Sequence, residues 1–355
     1  MHNKLLKKKG YGSFFSHISY NSNIFRNSKN SFNPINGKIF YSGRHAIKYI
    51  IETIKSNNTI NTIWVPEYYC QHVTSWLKEN YKNIKTYQVN PLDKLHIVKA
   101  DSFVTEEGKV IVLVNNFWGI SHCSLETSKK NIFIIEDHSH GWLSKPCIES
   151  NADFCFASLR KSVPVPLAGI AWKPNGEKLA DIKLEEAISF NEIWDNILLG
   201  MEKKLEFEEN VSIDENGKNA FLELVYNAEN MMHYNYDLVK INTNHEALIK
   251  LYLKNNYLHF KEINYKTIIN LLEDTDDFAL VGSDSIPFGL TLHFKNIDKL
   301  NHFKSYLISK DVYPSLLWPG NKSNYGYFIN IHIDYRYISE DIQYISSIIN
   351  SYINL

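Results

Sequence analysis

The chain has 355 residues, with 38 basic and 39 acidic side chains and a formal net charge of −1, so no global field recruits nucleic acid or an anionic membrane, and no stretch approaches the ~20 apolar residues that span a bilayer. That length has room for one large domain with a smaller one attached, and aromatic residues at 14% suit a deep core and a large subunit interface. Four irregularly spaced cysteines (Cys70, Cys123, Cys147, Cys155), with no CxxC pair, indicate neither a zinc site nor a disulfide framework and read as reduced thiols of a soluble, cytoplasmic protein.

Residues 1–36 are basic at Lys4, Lys7, Lys8 and Lys9, have no apolar stretch of signal-peptide length behind them, and read as an arm without a core of its own. Gly43-Arg44 then opens a helix whose apolar residues Ala46, Ile47, Ile50, Ile51 and Ile54 recur at helical spacing. The Ser-Gly turn before it leaves backbone N–H groups unpaired, and with the helix dipole these make an anion site, although most such termini bind only water. Residues 62–65 are a short strand ended by Pro66, and a helix resumes from Cys70. Between them, Tyr68-Tyr69 offers a ring either to a flat heterocycle or to ordinary core packing.

Residues 110–114 form a buried strand that leads into Asn115-Asn116-Phe117-Trp118-Gly119. An amide at such a strand end either bonds a ligand or shapes its own turn, and Asn116 is a candidate for the first role. Phe133-Ile134-Ile135 is the kind of apolar run that forms a buried parallel strand, and it carries Glu136 and Asp137 to its carboxyl end, where open α/β sheets bind ligands. Residues 153–157 are a second short strand, which carries Ser158 and Lys161 to a loop at the same edge.

An acid, a hydroxyl and a lysine are the set that pyridoxal phosphate (PLP) chemistry requires. The lysine forms a Schiff base with the cofactor aldehyde, a carboxylate pairs with the protonated pyridine nitrogen, and small donors hold the phosphate. Lys161, Asp137 and Ser158 fit these roles in that order; the plainer reading is a capped turn beside a solvated lysine. His138 and His140 form an H-x-H, but no third ligand at matching spacing accompanies them, so no metal is expected.

After Lys161, Val163-Pro164-Val165-Pro166 is a rigid loop and residues 168–172 resume a strand. Residues 184–255 turn helical and charged, and "NAENMMHYNYD" reads as a helix packed on the large domain. From residue 289 onward a strand, a helix, a strand and a final helix from Ser339 make a compact α+β unit. Trp318 and Arg336 are its substrate-side candidates, Arg336 either holding a donor carboxylate or making a structural ion pair.

Six segments, "YSGRHAIKYII", "IWVPEYYCQHV", "VLVNNFWG", "IIEDHSH", "FASLRKSVPVPLAGIAW" and "FKEINYKTIINLL", occur in the order and at the approximate spacings of the fold-type-I, PLP-dependent sugar aminotransferases. Over residues 37–355 the chain thus resembles the DegT/DnrJ/StrS family. The resemblance implies a three-layer α/β/α large domain with a mostly parallel sheet (37–255), a small C-terminal α+β domain (256–355), and an arm (1–36) that either crosses a partner subunit or is a partly ordered tail. It further implies that Gly43 and Arg44 lie against the PLP phosphate, that an aromatic, here taken as Tyr69, lies on the pyridine face, and that His140 packs by the cofactor. The chain departs from the family at His138, which replaces a small residue, at Ala168, where a paired glycine is usual, and at Lys261, which stands for an arginine. Lys161 follows Ser158 by only three positions, which points to a side branch.

The function implied is an aminotransferase, working as a homodimer with shared active sites. It would move an amino group from glutamate or glutamine to a keto-sugar nucleotide or a small phosphorylated ketone used in surface-polysaccharide assembly. A sugar dehydratase of the same fold is disfavoured because those enzymes carry histidine in place of the lysine. A protein that kept the fold and lost the chemistry would be expected to lack Asp137 or Lys161, and both are present.

Overall fold

The computed structural model describes residues 10–22, 36–103, 108–126, 131–210, 215–235, 237–255, 258–282, 285–318 and 324–355, so the basic Lys4, Lys7, Lys8 and Lys9 lie outside the described residues. Among the described residues, nine short strands fall in the first half of the chain: β1 (Lys38–Phe40), β2 (Ile60–Pro66), β3 (Ile84–Tyr87), β4 (Leu95–Lys99), β5 (Lys109–Asn115), β6 (His122–Glu126), β7 (Ile132–Asp137), β8 (Phe154–Ser158) and β9 (Gly169–Trp172). Seven of them form one sheet in the order β1-β9-β8-β7-β5-β2-β3, while β4 and β6 pair separately. The run β3-β2-β5-β7-β8 is parallel; β9 pairs antiparallel with β8, and β1 antiparallel with β9.

Strand alternation sends successive residues to opposite faces, and both faces of β5, β7, β8 and β9 are buried, which is why their apolar residues run consecutively rather than at every second position. Val110, Val112 and Val114 of β5 join a core with Ile193, Trp194 and Ile197 of helix α4 (Ser189–Glu209), which follows α1 (Gly43–Ser56), α2 (Gln71–Asn80) and α3 (Lys145–Ile148). Ile111 and Leu113 face the other way, into a core with α1 and α2. This is the expected three-layer α/β/α arrangement. On α1, Ile47, Ile50, Ile51 and Ile54 are at most 2% exposed, and each contributes about 1.5–3 kcal/mol on full burial. The helix starts where it does because the Ser42 hydroxyl accepts the His45 N–H, at 3.2 Å.

Helices α5 (Glu215–Tyr234), packed along α4, and α6 (Thr243–Leu253) follow. The C-terminal unit holds α7 (Leu258–Leu271), α8 (Ile297–Ile308) and α9 (Ser339–Ile353) around an antiparallel sheet of β10 (Ala279–Leu280), β11 (Leu290–Phe294), β13 (Tyr327–Ile331) and β12 (Ser315–Leu317), in that order. Residues 10–22 run along this unit and α4 of the same chain: the Tyr313 N–H donates to the Tyr11 carbonyl, and the His17 N–H to that of Met201. No helix among the described residues is long and apolar enough to cross a membrane.

Candidate active site

Sheet register brings the chemistry together. Asn115, Asp137 and Phe156 lie side by side at the carboxyl ends of β5, β7 and β8, and Ser158 stands opposite Gly169 on β9. Asp137 is buried, and its carboxylate accepts the Ser139 N–H at 2.8 Å and the Tyr69 hydroxyl. The Ser139 hydroxyl in turn accepts the Ser158 N–H, at 2.9 Å. The Ser42-Gly43 turn closes over the same point, and a Cβ on Gly43 would come within 3.1 Å of the Ser158 Cβ. A Cβ on Gly169 would strike the Ser42 carbonyl at 2.1 Å, so β9 carries glycine where the turn crosses it.

These groups line a cavity of about 400 Å³ together with Arg44, Lys161, His140 and Trp318. The Lys161 amine lies 3.2 Å from His140 Nε2. Burial first, then electrostatic coupling to Lys161, His332 and Lys261, keeps the His140 pKa well below the ordinary histidine value. The imidazole is therefore neutral and accepts a hydrogen bond from the amine. Its ring is stacked among Phe288, Trp318 and Trp118 at centroid distances of 4.5, 5.5 and 6.0 Å. Trp118 and Trp318 both adopt left-handed backbone conformations, with φ of 55° and 51°. Each costs about 1–3 kcal/mol, which the aromatic nest around His140 must offset.

No protein-family model matches the sequence, and no curated protein matches it. Solved structures match it by fold. A Streptococcus pneumoniae protein provisionally assigned as a sugar aminotransferase, in its apo-form, superposes with a TM-score of 0.55 at 12% identity, over 97% of this chain and 92% of that one. Sphingomonas wittichii serine palmitoyltransferase gives 0.51 at 12% identity, over 89% of this chain and 71% of that one. A structure described as SPT with PLP gives 0.50 at 12% identity, with the same coverage. The chain has the fold-type-I PLP-transferase fold.

The cavity of this fold-type-I chain fits PLP on its own chemistry. Asp137 is an acceptor for a pyridine N–H, and the Gly43 turn and Ser158 hydroxyl make a small-donor cradle for a phosphate. Two buried polar atoms of the cavity residues lack a partner among the described residues, Asn115 Nδ2 and His140 Nδ1. Such orphans are costly unless a ligand completes them.

Of the residues singled out in the sequence, Lys161, Asp137, Ser158, Gly43, Arg44, His140 and Trp318 line this one cavity. Three others do not. Asn116 is turned away by strand alternation and bonds His138 and Ser144, both at 3.1 Å, leaving the cavity to Asn115. Tyr69 reaches the site through its hydroxyl on Asp137, with its ring packed against Trp318 rather than over the cavity. Arg336 is the largest correction. Its guanidinium holds Asp334 at 2.8–3.1 Å and donates to the Gly12 and Phe14 carbonyls, so it makes a structural ion pair and does not face the substrate side. Burial alone would raise the Asp334 pKa, but Arg336 brings it down to about 2.

Glu136 and His138 point to the opposite face of β7 from Asp137 and meet Cys155, three buried groups whose ligand atoms lie within 4.8 Å of one another. A closed tetrahedral site needs a fourth ligand, and Ser150 already donates to Glu136. Sequence reasoning missed the α5 wall, where Tyr226, Asn230 and His233 line the cavity mouth beside the Arg160–Glu229 pair at 2.7 Å. The polar residues of "NAENMMHYNYD" were the available signal.

Proposed function

We propose that this chain is a PLP-dependent aminotransferase, a divergent relative of the DegT/DnrJ/StrS enzymes. It would transfer an amino group from glutamate or glutamine to a keto-sugar nucleotide or a small phosphorylated ketone in surface-polysaccharide assembly, in the cytoplasm. The observation that carries the reading is Asp137 and Lys161 in one cavity, with the Gly43 turn and Ser158 between them.

Bound there, PLP supplies an electron sink for breaking a bond to the donor's α-carbon. Asp137 would hold the pyridine N–H, kept in place by Tyr69 and Ser139. Ser158, Gly43 and Arg44 would hold the phosphate, and Asn115 a ring oxygen. Lys161 would anchor the cofactor and then act as general base, carrying a proton on its Nζ. Neutral His140 orients that amine without competing for positive charge. The cavity mouth at α5 is where a second subunit of a homodimer would complete the site.

Borohydride reduction of the PLP-loaded protein, followed by peptide mass spectrometry, tests the assignment. The expected result is a pyridoxyl mass added at Lys161 alone, and its absence or its attachment at other lysines counts against the reading.

A further inference from the structure

Arg336, the cation that the sequence offered for a substrate carboxylate, is consumed by Asp334 and the N-terminal segment. A second lysine, Lys261 of α7, lines a recess together with Lys161. Its Nζ lies 5.8 Å from the Phe288 ring centroid, and it makes no ion pair or hydrogen bond among the described residues. The Phe288 ring also touches His332 edge-on at 5.2 Å and His140 face-on at 4.5 Å. Lys261, His332 and His140 are thus gathered around one ring, with Lys161 bonded to the last of them.

Between Lys161 and Lys261 lies a recess of about 30 Å³, walled by Trp142, Phe288 and His332. It shares Lys161, Phe288 and His332 with a larger, mostly apolar cavity of about 430 Å³ on the substrate side. Asp334 also borders the recess, but Arg336 occupies its oxygens. Burial, partly offset by Asp334, pushes the Lys261 pKa down to about 8, so near neutrality the amine is still mostly charged. With the Asp334 carboxylate already bonded by Arg336, Lys261 is only partly compensated, and an arriving anion stabilises it. Room for about one or two waters admits a carboxylate and excludes a sugar diphosphate.

We propose that Lys261 and His332 form a subsite for a carboxylate, that of the amino donor, which holds the donor with its amine toward Lys161. What the carboxylate belongs to rests on the aminotransferase reading; the subsite itself does not. An arginine at 261, as in the resembled family, would be bulkier in this recess, so the departure at this position is a change of ligand contact rather than a loss.

Glutarate is the probe, titrated by calorimetry into the purified full-length chain with and without added PLP, beside inorganic phosphate. Lys261→Met should weaken glutarate binding by about tenfold or more and leave phosphate binding unchanged, while Lys261→Arg should restore part of the glutarate affinity. Should Lys261→Met fail to fold, His332→Gln carries the same comparison. Unchanged glutarate affinity in the variants, no glutarate binding by the wild type, or a Lys261 dependence of phosphate binding alone overturns the subsite. Failure of the chain to take up PLP would instead sink the aminotransferase reading, and the glutarate comparison would stand apart from it.

Discussion

Gly169 and Ala168 sit side by side and differ in what they allow. Ala168 is fully buried and its carbonyl accepts the Leu159 N–H, so a methyl group fits there. At Gly169 a methyl group would collide with the Ser42 backbone, which is why glycine stands there. Gly169→Ala should push the Ser42-Gly43 turn off β9 and destabilise the fold by about 1–3 kcal/mol. Thermal unfolding should show a lower Tm, and a PLP titration a weaker affinity; an unchanged Tm would contradict the close approach. Lys161, Asp137 and Ser158 were legible because each sits at the end of a short apolar run, and strand geometry is local. Arg336 was not, because the carbonyls it binds belong to Gly12 and Phe14, more than 300 positions away. Tyr69 was half legible: its position was readable, but whether its ring or its hydroxyl did the contacting depends on tertiary packing.

Helix α1 shows how an element couples to acid stability. His45 is 3% exposed in its first turn, and burial, reinforced by Arg44 and Lys48, lowers its pKa to about 4. The unfolded chain takes up that proton near pH 6.5 while the folded chain does not, so stability falls as pH drops from about 6.5 toward 4. His332, brought to about 3 chiefly by burial, acts in the same direction over a wider window. Together they make a loss on the order of a few kcal/mol. Urea midpoints should fall across that window, and His45→Gln should flatten the fall; a midpoint independent of pH would contradict the buried neutral imidazole. Apolar periodicity made α1, β5, β7, β8 and β9 readable. The β4–β6 pair and the three-residue β1 were not, since their partners are chosen by tertiary position. The α5 wall was hidden for the same reason, as its helix was plain but its destination was not. We propose the divisions at residues 36 and 255 as the boundaries of arm, large domain and small domain.

At the scale of the molecule, the site lies where the carboxyl edge of the large sheet meets the small antiparallel sheet, with Trp318 from the second facing Asp137 and Lys161 from the first. The fold class was legible because six segments lay in register, each weak alone. The neighbouring cavity of about 430 Å³ was not, because its walls come from residues 13–15, Ile197, Met201 and residues 315–318, which are far apart in the chain. We propose that Lys161 is poised for PLP chemistry in this cavity. The direct measurement is the near-visible absorption spectrum of the protein with added PLP, for the wild type and Lys161→Ala, before and after glutamate. A yellow band that requires Lys161 and bleaches with glutamate is the predicted result. No band in the wild type, or an equal band in Lys161→Ala, would contradict the account.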